Sequence, residues 1–242
     1  MIDIIQTYGL QLLIGLYPNG PLGGLAATLI LALSGLLLAL PTGMLLALAL
    51  IAPWRWLNRA VQLFVFYMRS VPLLVQLLWA YFLVPLLFGP SAPLMLTVIL
   101  TLALFNGAYL SQAIVAGIRA LPRGQYEAAH ALGLGHGATL RLVIIPQAMR
   151  NVTPSIIAQL VLLIKETSLG SVIGVHEMSE GFMNLSDTLG NRSAEIFILL
   201  GISYFLLCYP LILLGRYLER RFANPGKTVK VTGKPVEVTA VA

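Results

Sequence analysis

The sequence predicts an all-α protein embedded in a lipid bilayer. Of its 242 residues, 58% are hydrophobic and only 10% charged, where a soluble domain carries about 25% charged residues. The mean hydropathy is +0.89, and the apolar residues gather in runs of about 20, the length a helix needs to cross the hydrocarbon layer. The charges lie between the runs. These features exclude a soluble enzyme or a nucleic-acid-binding module, despite a formal net charge of +6.

Residues 1–20 have the apolar spacing of a helix lying at a membrane interface, closed by Pro18-Asn19-Gly20-Pro21. They lack a basic start and an A-x-A-type cleavage site, so they do not read as a signal peptide. Five spanning helices are expected at 23–51, 71–89, 94–118, 153–174 and 196–215. Pro41 falls inside the first and is tolerable in a span whose neighbours re-satisfy the backbone. A short amphipathic stretch, 58–70, leads into the second. The domain plan is therefore an N-terminal interfacial segment (1–20), a membrane domain (21–220) and a basic tail (221–242). The single cysteine, Cys208, lies in an apolar run and reads as a small buried residue.

Thirteen of the fifteen Lys and Arg residues fall in 52–70, 119–150 and the segment from 216 onward. The opposite connections carry Arg192 with Glu177, Glu180, Asp187 and Glu195, and Lys165 lies within a span. By the positive-inside rule the N-terminus is outside and the C-terminus inside.

The segment 121–146 is too long and too polar for a plain connector. Pro122 suits a helix start, Glu127 favours the positive end of that helix, and Ala128 and Ala129 add helix propensity without bulk. Gly133, Gly135 and Gly137 permit a reversal, after which a second short helix is expected from about Ala138, ended by Pro146. Two short helices hinged at glycine make a rigid lever. The bland alternative is an amphipathic loop lying on the membrane.

Glu127-Ala128-Ala129, three residues, Gly133, nine residues and Val143-x-Ile145-Pro146 resemble the EAA loop of binding-protein-dependent (type I) ABC importer permeases. The family's Ile-x-Leu-Pro-like end is replaced conservatively by Val-Ile-Ile-Pro. Arg69-Ser-Val-Pro72-Leu-Leu-Val-Gln76 and Lys165-Glu166-Thr167-Ser168-Leu169 resemble two further runs of the polar-amino-acid permeases within that group. The resemblance covers about residues 23–220. It implies a permease subunit in a bacterial inner membrane, paired with itself or a sister subunit, working with two ATPases and a periplasmic or tethered solute-binding protein. ATP and Mg²⁺ would be bound by the ATPases, leaving this chain without a cofactor. It further implies that Glu127, Ala128, Ala129 and Gly133, with Pro146 closing the segment, form the ATPase-coupling site.

A lysine in mid-span costs about 2.5–3.5 kcal/mol on insertion scales, so Lys165 should face protein or water. Successive helical residues point about 100° apart, so Lys165 and Glu166 need not pair. Lys165, Glu166, Thr167 and Ser168, with Asn106, Tyr109 and Gln112 on the third span and Arg69 and Gln76 before and in the second, are the candidates for lining an amino-acid path. The alternative for each is a brace between helices, and for Arg69 a snorkel to the interface. Gly170 and Gly174 have GxxxG spacing, a weak helix-packing signal. The connection 176–195 is expected to be an acidic outer loop, either solvated or in contact with the binding protein.

His130, His136 and His176 are scattered and make no metal site. Gly226-Lys227-Thr228 resembles the end of a P-loop, but Arg221 stands where the first glycine belongs, so no ATP site is expected. Competing readings are the same architecture with a peptide or sugar as solute, a secondary transporter, which would lack the EAA-like segment, and an intramembrane enzyme, for which no nucleophile–base or metal grouping exists.

Overall fold

The computed structural model describes residues 2–89 and 91–222; the tail expected at 221–242 lies outside them beyond Phe222. Every regular element among these residues is helical. Four helical stretches are long and apolar enough to cross a membrane, and five spans result when one sharply bent pair is counted as a single crossing.

Helix α1 (Ile2–Ile14) is more firmly held than an interfacial segment needs to be. Ile4, 1% exposed, sits among Met178, Phe182, Leu185 and Ile196, and Asp3 lies 3.9 Å from Arg192. A turn closed by an antiparallel bridge from Gly15 to Leu22 delivers the chain to α2 (Gly24–Ile51). At 1.5 Å per residue α2 is about 42 Å long, enough to span the bilayer. Its buried stripe, Ala27, Leu31, Gly35, Ala39, Gly43 and Ala47, recurs every fourth residue, so apart from Leu31 small side chains line one face and let a neighbour approach. That neighbour is α5 (Leu94–Arg119). A Cβ on Gly43 would stand 2.9 Å from the Leu110 Cβ and 3.0 Å from the Gly107 carbonyl oxygen, so the two backbones touch there. Pro41 sits within α2 without ending it, and next to it the Thr42 hydroxyl donates to the Leu38 carbonyl at 2.8 Å.

The amphipathic α3 (Arg55–Ser70) and the apolar α4 (Leu73–Phe88) meet at a 108° bend. Pro72 cannot continue α3 and starts α4 instead. The buried Gln76 amide donates to the Met68 and Val71 carbonyls at 2.8 and 2.9 Å, satisfying acceptors that the end of α3 leaves open. Likewise, Asn58 donates to the Leu50 carbonyl at the end of α2.

After α5 come α6 (Arg123–Ala131) and α7 (His136–Thr139). Here the structure departs from expectation. Pro146 does not end the second short helix. A π turn over Leu140–Ile144 runs without a break into α8 (Ile145–Glu166), with Pro146 in its first turn. Pro146 has no N–H to donate, and the π turn before it, closed by the Ile145 N–H on the Leu140 carbonyl, widens the coil instead of breaking it. The fourth span is therefore mechanically continuous with the segment before it. Glu127 also falls in the second turn of α6, since that helix begins at Arg123, so little of the dipole advantage expected of it remains.

A 3₁₀ turn (Thr167–Ile173) extends α8 and is closed by Gly174 at φ +83°. Gly170 and Gly174 thus belong to a turn and its cap, not to a helix–helix seam. The expected outer loop is largely a helix, α9 (Met178–Leu189), and a short 3₁₀ turn, Gly190–Arg192, leads to α10 (Ser193–Phe222). Three apolar clusters stack along the bundle. One joins α1, α9 and the start of α10, the middle one centres on α5 and α8, and the third surrounds Ala47, Val65, Ile118, Ile144 and Ala148.

Candidate functional site

The elbow after α5 is stitched by backbone hydrogen bonds. Leu134 N–H donates to the Ala129 carbonyl at 3.1 Å and Gly133 N–H to the His130 carbonyl at 2.9 Å. This 6→1 and 5→2 pair is the Schellman arrangement, which needs a left-handed residue at the position Gly133 occupies. Gly133 has φ +77°. Thr139 Oγ1 adds a bond to the Leu134 carbonyl at 3.3 Å, and Gln147 Nε2 reaches back from α8 to Gln125 Oε1 at 3.1 Å. Tyr126 packs against the lower cluster, and burial pushes its hydroxyl pKa up. The elbow is one braced piece joined directly to α8.

Of the five residues expected to form the coupling site, Glu127, Ala128, Gly133 and Pro146 are exposed, whereas Ala129 is only 3% exposed. Ala129 packs inside the elbow and leaves the outward surface to its neighbours. Leu132 was not singled out from the sequence. It immediately precedes the hinge and is 81% exposed, an apolar knob on an otherwise polar tip. An unpaired leucine beside a helix-ending glycine was the available signal.

Deep in the bundle, Asn106 on α5 is fully buried and joins two residues of α8. Its Nδ2 donates to Glu166 Oε2 at 2.8 Å and to the Leu102 carbonyl at 2.9 Å, and its Oδ1 accepts from Gln159 Nε2. Gln159 escaped the sequence reading because a lone polar residue in an apolar helix carries no motif. Lys165 diverges from Glu166, as the 100° step predicts. It is exposed in a groove of about 150 Å³ with Tyr204, Phe205, Cys208, Tyr209 and Ile212. Thr167 is buried with its hydroxyl on the Ile164 carbonyl, and Ser168 bonds the Lys165 carbonyl at 2.6 Å. Both hydroxyls thus bond the backbone of their own helix.

Tyr109, one turn beyond Asn106, packs on Phe105 and carries the Arg69 guanidinium 5.0 Å over its ring. This cation–π contact brings the end of α3 to the helix that holds Asn106. Gln112 is half-buried one turn further along α5, and Gln76 is engaged at the α3–α4 bend. The structure therefore gathers Asn106, Glu166, Tyr109 and Arg69 around α5 and turns Lys165 towards α10.

A second buried carboxylate lies in the connection read as a loop. Glu177 is fully buried and caps α9 by accepting from Glu180 N–H at 3.0 Å, while Thr28 and Tyr204 hydroxyls donate to it at 3.3 and 3.4 Å. It ties α2, α9 and α10 together. Among the described residues no group of His, Cys, Asp or Glu is placed to hold a metal ion.

Residues 39–224 match the family described as binding-protein-dependent transport system inner membrane component. The chain is 34% identical over 85% of its length to the inner membrane amino-acid ABC transporter permease protein YhdY of Escherichia coli K12, of which it spans 57%. It is 33% identical over 84% of its length to the glutamate/aspartate import permease GltK of Escherichia coli O157:H7, spanning 93% of that protein. It is 32% identical over 84% of its length to the arginine transport permease ArtQ of Bacillus subtilis, spanning 92%. The chain spans about half the length of two of these curated relatives, YhdY and the BztC permease of Rhodobacter capsulatus. A crystal structure of an amino acid ABC transporter with histidines superposes with a TM-score of 0.73 at 31% identity, over 82% of this chain and 92% of that one. The inward-facing MetNI methionine transporter shares the fold, with a TM-score of 0.65 at 20% identity. A braced, exposed elbow continuous with a membrane-spanning helix is thus found on a chain with the sequence and fold of these permeases, and this multi-pass membrane protein belongs to the family of binding-protein-dependent transport system inner membrane components.

Proposed function

We propose that the chain is the permease subunit of an ATP-driven importer for polar amino acids in a bacterial inner membrane. The observation that carries this reading is the Schellman-braced elbow, which presents Glu127, Ala128 and Leu132 outward and runs without a break into α8. Displacing the elbow would tilt α8, and α8 carries Gln159 and Glu166 at the centre of the bundle. A separate ATPase would close on the elbow and bind the ATP and Mg²⁺; this chain carries no cofactor of its own. A solute-binding protein would meet the face formed by α1, α9 and the start of α10, and a second permease subunit would complete the path.

The amino-acid class rests on the relatives and on the bundle's polar groups. Glu166, held by Asn106, suits a substrate ammonium, and Arg69, held over Tyr109, suits a carboxylate. Thr167, Ser168, Gln112 and Lys165 are secondary candidates for the same path. The elbow end faces the cytoplasm, where the basic loops lie, and the short interfacial α1 lies on the other side.

The test is co-purification from membranes. Glu127→Lys and Leu132→Asp should each lose the ATPase and ATP-driven amino-acid uptake while the chain still inserts. Retention of both by both variants would remove the docking role.

A further inference from the structure

The elbow and the bundle enclose a cleft of about 360 Å³ lined by Ile51, Ile118, Arg119, Leu121, Arg123, Tyr126, His136 and Leu140. Its floor is aliphatic. Its rim carries two guanidinium groups, an imidazole and a phenol. Arg119, Arg123 and His136 are exposed, and none has an ion-pair partner among the described residues. The nearest acid along α6, Glu127, forms no salt bridge with Arg123.

The cleft's level in the membrane follows from its walls. Ile51 ends α2 and Arg119 ends α5, so two apolar spans leave the hydrocarbon here. Trp54 and Trp56, 62% and 72% exposed, follow immediately, and tryptophan collects where headgroups begin. An apolar floor under a cationic rim at that depth complements one kind of molecule. A free anion would use the rim and leave the floor wet. A phospholipid would set its phosphate on the arginines and an acyl chain on Ile51, Ile118 and Leu140.

We propose that this cleft binds an anionic phospholipid of the leaflet on the elbow side, whose headgroup bridges Arg119 at the end of α5 to Arg123 and His136 on the elbow. The bound lipid joins the lever to the bundle, so coupled transport depends on anionic lipid. This rests on the permease reading for its consequence, but not for the binding itself.

The full chain, with Trp79→Phe so that Trp54 and Trp56 report alone, is placed in vesicles of phosphatidylcholine containing brominated phosphatidylglycerol or brominated phosphatidylcholine. Stronger quenching by the brominated anionic lipid is expected. The preference should fall about fivefold for each arginine removed in Arg119→Gln and Arg123→Gln, and Arg119→Lys with Arg123→Lys should restore most of it. An unchanged preference, or an equal fall in the distant Arg220→Gln/Arg221→Gln control, would overturn the proposal. So would equal quenching by the two brominated lipids together with a melting temperature raised by inorganic phosphate in the wild type alone, because the ligand would then be a soluble anion. In the assembled transporter, Arg119→Gln/Arg123→Gln should keep the ATPase and lose the activation of uptake by phosphatidylglycerol. Loss of the ATPase with an intact lipid preference would assign the cleft to an acidic partner residue and refute lipid binding. Failure of the permease reading is distinct: Glu127→Lys would keep the ATPase while the quenching preference stood.

Discussion

Gly133 separates two explanations for a glycine at the tip of the elbow. Its φ of +77° lies in the left-handed region, and a Cβ built there meets nothing within 4 Å. The demand within this chain is therefore on backbone conformation and not on space. Gly133→Ala should raise the energy of the braced elbow by about 1–2 kcal/mol, the left-handed penalty of an ordinary residue. That lowers the population of the closed Schellman turn by roughly 5- to 30-fold relative to its open forms. Asparagine tolerates this conformation better, so Gly133→Asn should lose only about threefold. The assay is ATP-driven uptake in proteoliposomes, together with the concentration of ATPase needed for half-maximal coupling. The expected order is glycine, then asparagine, then alanine. Equal and complete loss in both variants would show that a partner's surface packs against the bare glycine, and the conformational argument would be refuted. Two variants indistinguishable from wild type would refute it as well.

Asn106→Leu removes the donor to Glu166 and the acceptor for Gln159 together. Leaving two buried groups unpaired costs about 1–3 kcal/mol each, read as a lower melting temperature of the purified chain, and an unchanged midpoint would show that water takes Asn106's place. Gly43→Ala should destabilise by about 1–3 kcal/mol, because its Cβ meets backbone and Cβ atoms of α5. Gly181→Ala, inside α9 with a Cβ that meets nothing within 4 Å, should raise the same melt slightly, since alanine favours a helix over glycine, and a comparable loss in the two would contradict the close-approach argument. Topology is read by cysteine labelling in a Cys208→Ala background: Gly124→Cys should react with an impermeant maleimide only after cells are opened, and Asp187→Cys in intact cells. The reverse pattern would invert the chain.

Much of the fold was legible because a bilayer removes choices. With no water to satisfy the backbone, long apolar runs have to be helices, and their lengths set the crossings at α2, α5, α8 and α10. The elbow was legible for a related reason: polar residues and glycine in that setting need a purpose. The errors arose where helices join. Pro146 reads as a stop, yet the π turn before it keeps the rod continuous, and that turn has no sequence mark. The bend at Ser70–Pro72 was anticipated only as a lead-in, and Gln76 stands at that bend capping carbonyls of α3, although its motif suggested the path. Residues 176–195 look like a loop because their charges are frequent, and burial of Glu177 under Thr28, 149 residues away, and Tyr204, 27 residues away, could not be inferred from local pattern.

Composition and local pattern were enough to establish membrane residence, the spans at α2, α5, α8 and α10, the grouping of basic residues at one end and the hinge at Gly133, since each follows from how a short stretch meets lipid or turns its own backbone. Which polar side chains meet was settled by packing. Asn106 with Glu166 and Gln159, Arg69 over Tyr109, Ala129 turned inward and Leu132 outward all depend on how α2, α5 and α8 lie against one another. A helix specifies its own faces, but only its neighbours determine what each face touches.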